Sequence, residues 1–97
     1  MLNPRQKKQL KGLASTLDIK YQVGKNGITP TLIDMLDKAL TSHELIKIDV
    51  MKANDTPLME LALDLSSKLN AEIVSTLGRT IILFRINKDN NKIKLVK

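Results

Sequence analysis

The chain has 97 residues, enough for one hydrophobic core and too few for two. Its 42% hydrophobic and 27% charged residues are ordinary globular usage, which argues against wholesale disorder. Sixteen Lys and Arg against ten Asp and Glu leave a charge of +6, which favours an acidic partner, nucleic acid first and an anionic membrane surface second.

Asn3-Pro4 opens the first predicted helix: a capping residue followed by proline at the first helical position, where the missing N–H costs nothing. Leu10, Leu13, Ala14 and Leu17 then recur at helical spacing. Residues 19–23 alternate apolar and polar side chains, the period of a strand. Thr29-Pro30 repeats the helix start, with Leu32, Ile33, Leu36, Ala39 and Leu40 as its stripe. In the run 45–50, Ile46, Ile48 and Val50 share one strand face. Thr56-Pro57 starts a third helix, striped by Leu58, Leu61, Ala62, Leu65 and Leu69. Residues 71–77 and 80–86 are β-branched runs separated by Gly78-Arg79, which predicts a hairpin. Residues 87–97 begin polar and basic; Ile93, Leu95 and Val96 either add a short edge strand or belong to a tail. The order αβαβαββ predicts a single α/β domain over residues 1–97 with a mixed four-stranded sheet, parallel through the crossover helices and antiparallel in the hairpin.

The segment most suggestive of function is Gly24, Lys25, Asn26 and Gly27, a Gly-x-x-Gly loop leaving a strand and entering a helix capped by Thr29. Two glycines let backbone N–H groups approach a ligand, the helix start adds free donors, and Lys25 adds a full charge. KH domains clamp a nucleic-acid backbone with such a cradle. An ordinary strand-to-helix turn explains the same residues about equally well, since Asn-Gly is a common turn pair. The spacing is neither that of a P-loop nor that of a dinucleotide fingerprint.

Arg5, Lys7, Lys8 and Lys11 form a positive helix face with no acid before Asp18. A solvated face is the bland account; together with the net charge and the glycine loop it points to RNA or DNA. Arg79 in the hairpin turn and Arg85 in the last strand are further candidates to meet phosphate, with a salt bridge as the equal alternative for Arg85. Tyr21 and Phe84 are the only aromatics, so base stacking on a sheet of the RRM type is ruled out and contact falls on phosphate and ribose.

No catalytic constellation is present. Zero Cys removes disulfides, thiolate chemistry and Cys-based metal sites, and His43 alone cannot build a histidine-rich one. His43-Glu44 lacks the second histidine of a metalloprotease motif, because Lys47 stands there. No cofactor and no small-molecule substrate are expected. With no export signal or spanning segment, the expected location is cytoplasmic and away from membranes.

Four blocks carry a family resemblance: RQKKQLKGLA at 5–14, VGKNGIT at 23–29, ALTSHELIKI at 39–48 and GRTIILFR at 78–85. Together and in this order they resemble the bacterial YhbY family, the stand-alone form of the CRM (chloroplast RNA splicing and ribosome maturation) domain. The resemblance implies a fold similar to the C-terminal domain of translation initiation factor three. It also implies a non-enzymatic RNA-binding protein associated with precursors of the large ribosomal subunit. The family's Gly-x-x-Gly loop falls on Gly24 to Gly27 and its basic surface on the cations named above. The alternative from another class is a protein-interaction module whose positive face docks an acidic protein.

Overall fold

A computed structural model describes residues 2–18, 21–89, 91 and 93–96. The elements follow the predicted order: α1 (Pro4–Ala14), β1 (Tyr21–Val23), α2 (Pro30–His43), β2 (Leu45–Val50), α3 (Leu58–Leu69), β3 (Glu72–Leu77) and β4 (Thr80–Phe84). Residues 19 and 20, which the sequence pattern assigns to the first strand, lie outside the described residues.

The first two helix starts are capped as their sequences require. Asn3 and Gln6 close a reciprocal capping box, with Asn3 Oδ1 accepting from the Gln6 amide at 2.8 Å. Thr29 Oγ1 accepts from the Leu32 amide at 3.1 Å. The third start differs: Pro57, at ψ 138°, is itself the N-cap and Leu58 the first helical residue. Thr56 does not cap; its amide donates to Asn54 Oδ1 at 2.9 Å in a local Asx turn. The Leu10–Leu17 stripe is also shorter than predicted. The helix stops at Ala14, and only Leu10 and Ala14 of that stripe are buried, Leu13 standing 41% exposed.

The sheet order is β1-β2-β4-β3, with β1 and β2 parallel through α2 and β4 antiparallel to both neighbours. The second crossover therefore does not pair its two strands. Helix α3 carries the chain from β2 past one strand position, and β4 returns into the gap, a split β-α-β arrangement. The hairpin turn is Gly78-Arg79, with Gly78 at φ +61°.

Strand alternation sends β2 and β4 into two cores. Ile46, Ile48 and Val50, with Ile81 and Leu83, pack under α2 and α3. Leu45, Ile82 and Phe84 face the other way and pack with Val74 under Leu10 and Ala14 of α1. The described residues of the tail form no strand. Ile93 and Leu95 pack against this second core, Gln9 Nε2 donates to the Lys94 carbonyl at 2.8 Å, and Gln9 Oε1 accepts from the Val96 amide at 2.9 Å. Glu44, fully buried at φ 64°, accepts from the amides of Asn87 and Ile93 and so ties the tail to the end of α2. Lys92 and Lys97 lie outside the described residues.

Candidate nucleic-acid interface

Three connections meet at one end of the sheet: the turn after β1, the β2–α3 loop and the hairpin turn. The first is a tight β-turn in which the Gly27 amide donates to the Gly24 carbonyl at 3.0 Å. Gly27 sits at φ +75°, a conformation that costs other L-residues about 1 kcal/mol or more. Gly24 has no such need, and a Cβ there would meet only Met51 Sδ at 3.7 Å. Lys25 and Asn26 occupy the exposed centre of the turn, and their amides make no hydrogen bond among the described residues.

The turn is held from beneath by a residue the sequence reading missed. Asn54 is 6% exposed, and its Nδ2 donates to the Gly24 carbonyl at 2.9 Å. Its own loop is gripped by Arg79, whose Nε donates to the Val50 carbonyl at 2.9 Å. Arg79 Nη2 donates to the carbonyls of Met51 and Asn54 at 2.8 and 3.2 Å. Arg79 thus braces the loop cluster with its guanidinium. A polar residue shortly before Pro57 was the available signal for Asn54, but partnership with a turn thirty residues away is a tertiary fact. Lys52, exposed in the same loop, is a second cation the sequence reading passed over.

Arg85 is placed differently. β4 is an interior strand, so its end does not emerge at a sheet edge. The Arg85 guanidinium pairs with Asp37 Oδ1 at 2.7 Å and donates to the Asp37 and Leu69 carbonyls and to Thr41 Oγ1. Only 21% of its side chain is exposed, and it locks the C-terminal turns of α2 and α3 together. His43 ends α2 and lines a cleft with Leu13, Leu17 and Tyr21.

Arg5, Lys7, Lys8 and Lys11 are all exposed on α1, and none forms an ion pair among the described residues. Asp49 and Glu72 face the same side of the sheet as α1, while Asp34, Asp37 and Asp64 lie on the other. On the α2/α3 side Lys38 pairs with Asp34 at 3.2 Å and Lys68 with Asp64 at 3.1 Å. A groove running from Gly27 along α3 is lined by Glu60 and Asp64. An anion is therefore repelled from the α3 flank of the glycine turn and attracted to α1. The cations of α1 do not crowd around the turn: α1 covers the Leu45–Phe84 end of the sheet, and the turn lies beyond the Val50 end. Among the described residues no cluster of His, Asp or Glu is arranged to hold a metal ion, and no helix is long and apolar enough to cross a membrane.

The CRS1/YhbY (CRM) domain profile matches residues 2–85, from before α1 to just past β4. The chain belongs to that family. The Bacillus subtilis protein named "Probable RNA-binding protein YqeI" is 34% identical over 95 residues, covering 98% of this chain and 99% of that protein. A Haemophilus influenzae protein named "RNA-binding protein" is 32% identical over 88 residues, covering 91% and 89% of the two chains. The solution structure of a hypothetical Staphylococcus aureus protein, described there as a candidate RNA binder, superposes with a TM-score of 0.84 at 38% identity. It covers 99% of this chain and all of that one. The CRM match thus takes in both the glycine turn and the basic helix.

Proposed function

We propose that this CRM domain binds RNA, without a chemical step, as an assembly factor on precursors of the large ribosomal subunit. Arg5, Lys7, Lys8 and Lys11 supply diffuse attraction, and the turn of Gly24, Lys25, Asn26 and Gly27 supplies two amides and an ammonium to a phosphate. Arg79 contributes by bracing the turn's support, and Arg85 by holding the two outer helices. The observation that carries the reading is the sorting of charge across the sheet. Among the described residues the cations of α1 have no ion-pair partner, while Lys38, Lys68 and Arg85 on the other side are paired with acids. Four mutually repelling cations on one short helix cost stability unless an anion meets them, so their arrangement makes physical sense as a docking surface. The relatives' names, which state RNA binding, support the same partner.

The test is a salt titration. With about four phosphates neutralised, log affinity for single-stranded RNA falls against log salt with a slope near −3. Tight binding with no salt dependence overturns the reading. Crosslinking in cells, followed by sedimentation, is expected to recover ribosomal RNA in large-subunit precursors. Retention of an acidic protein after complete nuclease digestion, with no affinity for purified RNA, selects the protein-docking alternative instead.

A further inference from the structure

Helix α1 covers only part of its sheet face. Beneath it lie Leu45, Val74, Ile82 and Phe84. Four residues further along β2, about 13 Å away, the same face carries a row that crosses all four strands. In register these are Gln22, Asp49, Thr80 and Leu77. Gln22 is exposed, Leu77 is 73% exposed, and Asp49 and Thr80 are half-buried. Between this row and the covered end lie Lys47 and Ser75, also half-buried. The uncovered floor is thus bordered by α1, with its exposed cations, on one side and by the loops carrying Lys25, Lys52, Asp55 and Arg79 on the other.

We infer that this open floor, between two cationic banks, receives the minor groove of a base-paired RNA. The inference rests on the RNA reading above and adds the form of the RNA and the groups that read it. Three features select that occupant. Two separate banks suit two backbones, one per strand of a duplex, better than a single strand. No aromatic lies on the floor, since Tyr21 pairs with Ile48 on the opposite face and Phe84 is buried, so bases have nothing to stack on. The Asp49 carboxylate, in the middle of the row, has no hydrogen bond or ion pair among the described residues. It accepts hydrogen bonds and repels phosphate, so it fits a surface of hydroxyl donors. The shallow minor groove of A-form RNA presents such a surface through its 2′-hydroxyls, and B-form DNA lacks it. The Gln22 amide and Thr80 hydroxyl, on either side, both donate and accept.

The experiment compares three probes at one salt concentration: a blunt RNA duplex, a DNA duplex of the same sequence, and one strand of the RNA. The RNA duplex is expected to bind tightest, by roughly tenfold over the DNA, as expected for a few hydrogen bonds to hydroxyls. Asp49→Ala removes a negative charge and so strengthens DNA binding nonspecifically; the readout is the RNA-to-DNA ratio, which is expected to fall about fivefold. Gln22→Ala, at an exposed edge position where folding is not at stake, is expected to lower the ratio too. Lys8→Glu is expected to weaken both duplexes alike. A single strand or a DNA duplex bound as tightly as the RNA duplex overturns the inference and leaves RNA binding intact. An unchanged ratio in a folded Gln22→Ala protein overturns it as well. Absence of binding to all three probes overturns the RNA reading itself.

Discussion

Asn54 tests whether the glycine turn works as a built element. Asn54→Ala deletes two hydrogen bonds, Nδ2 to the Gly24 carbonyl and the Thr56 amide to Oδ1, both 2.9 Å. Each contributes about 1 kcal/mol net, and leaving the Thr56 amide without its acceptor adds to the loss, for a total of about 2–3 kcal/mol. In a domain of this size that lowers the melting temperature by roughly 10–20 °C. Local consequences are more specific. The Gly27 amide, which donates to the carbonyl that Asn54 steadies, is expected to lose protection from hydrogen exchange, and RNA affinity to fall although Asn54 is buried. Asn54→Asp separates the two bonds, keeping the acceptor for Thr56 and replacing the donor toward Gly24 with a repelling oxygen. Because Arg79 holds the Asn54 carbonyl at 3.2 Å, the pair Asn54→Ala and Arg79→Ala is expected to be non-additive by at least about 0.5 kcal/mol. A melting temperature within ~2 °C of the parent, with unchanged exchange at Gly27, refutes the view that this side chain supports the turn.

Three further perturbations follow from the same geometry. Gly27→Asp is expected to cost about 1 kcal/mol for its positive φ, with room for the side chain since the nearest atom to a Cβ is Asn54 Nδ2 at 3.8 Å. It should weaken RNA binding in a filter assay by more than its effect on urea unfolding explains. Reversing Lys8 and Lys11 together to Glu should reduce the magnitude of the salt slope by about 1.5 while the melting temperature holds or rises, because the four cations repel one another. Glu44→Ala removes a buried carboxylate that accepts from two amides and is expected to cost about 3 kcal/mol. Limited proteolysis should then cut within residues 87–96 first.

Much of the fold was written in local signals. Proline after a capping residue marked two helix starts to the residue, and alternation in 45–50 assigned the core side chains correctly. The third start slipped by one residue because Asn54, committed to Gly24, drew the Thr56 amide into its own turn. Strand order was less legible. Nothing local in β4 says that it inserts between β2 and β3, and that insertion is what turns Arg85 away from an edge and into the grip of Asp37. Charge was readable as composition but not as placement. Lys38 and Lys68 have acids four residues before them, a pairing visible in sequence, whereas α1 has none, and only the structure puts these two classes on opposite sides of the sheet.

Splitting the cores between two sheet faces also accounts for why the open floor exists. Helices α2 and α3 lie together on one face, and eleven-residue α1 is the one helix on the other. Its helix ends at Ala14, where the Ser15 and Thr16 hydroxyls take up the Gly12 and Leu13 carbonyls at 2.6 and 2.9 Å. The tail then adds Ile93 and Leu95 to the covered part, tied down by Glu44 and Gln9, and leaves the row from Gln22 to Leu77 uncovered. Were that row a defect in coverage, apolar side chains would fill it at a cost in solubility. Three of its four members are polar, and the one apolar residue, Leu77, stands at its outer edge beside the hairpin turn. The strands hold those side chains together on the open face, at the place proposed for the sugar edge of a duplex. The same tail-and-helix lid that completes the second core thus sets the boundary of the surface proposed for RNA.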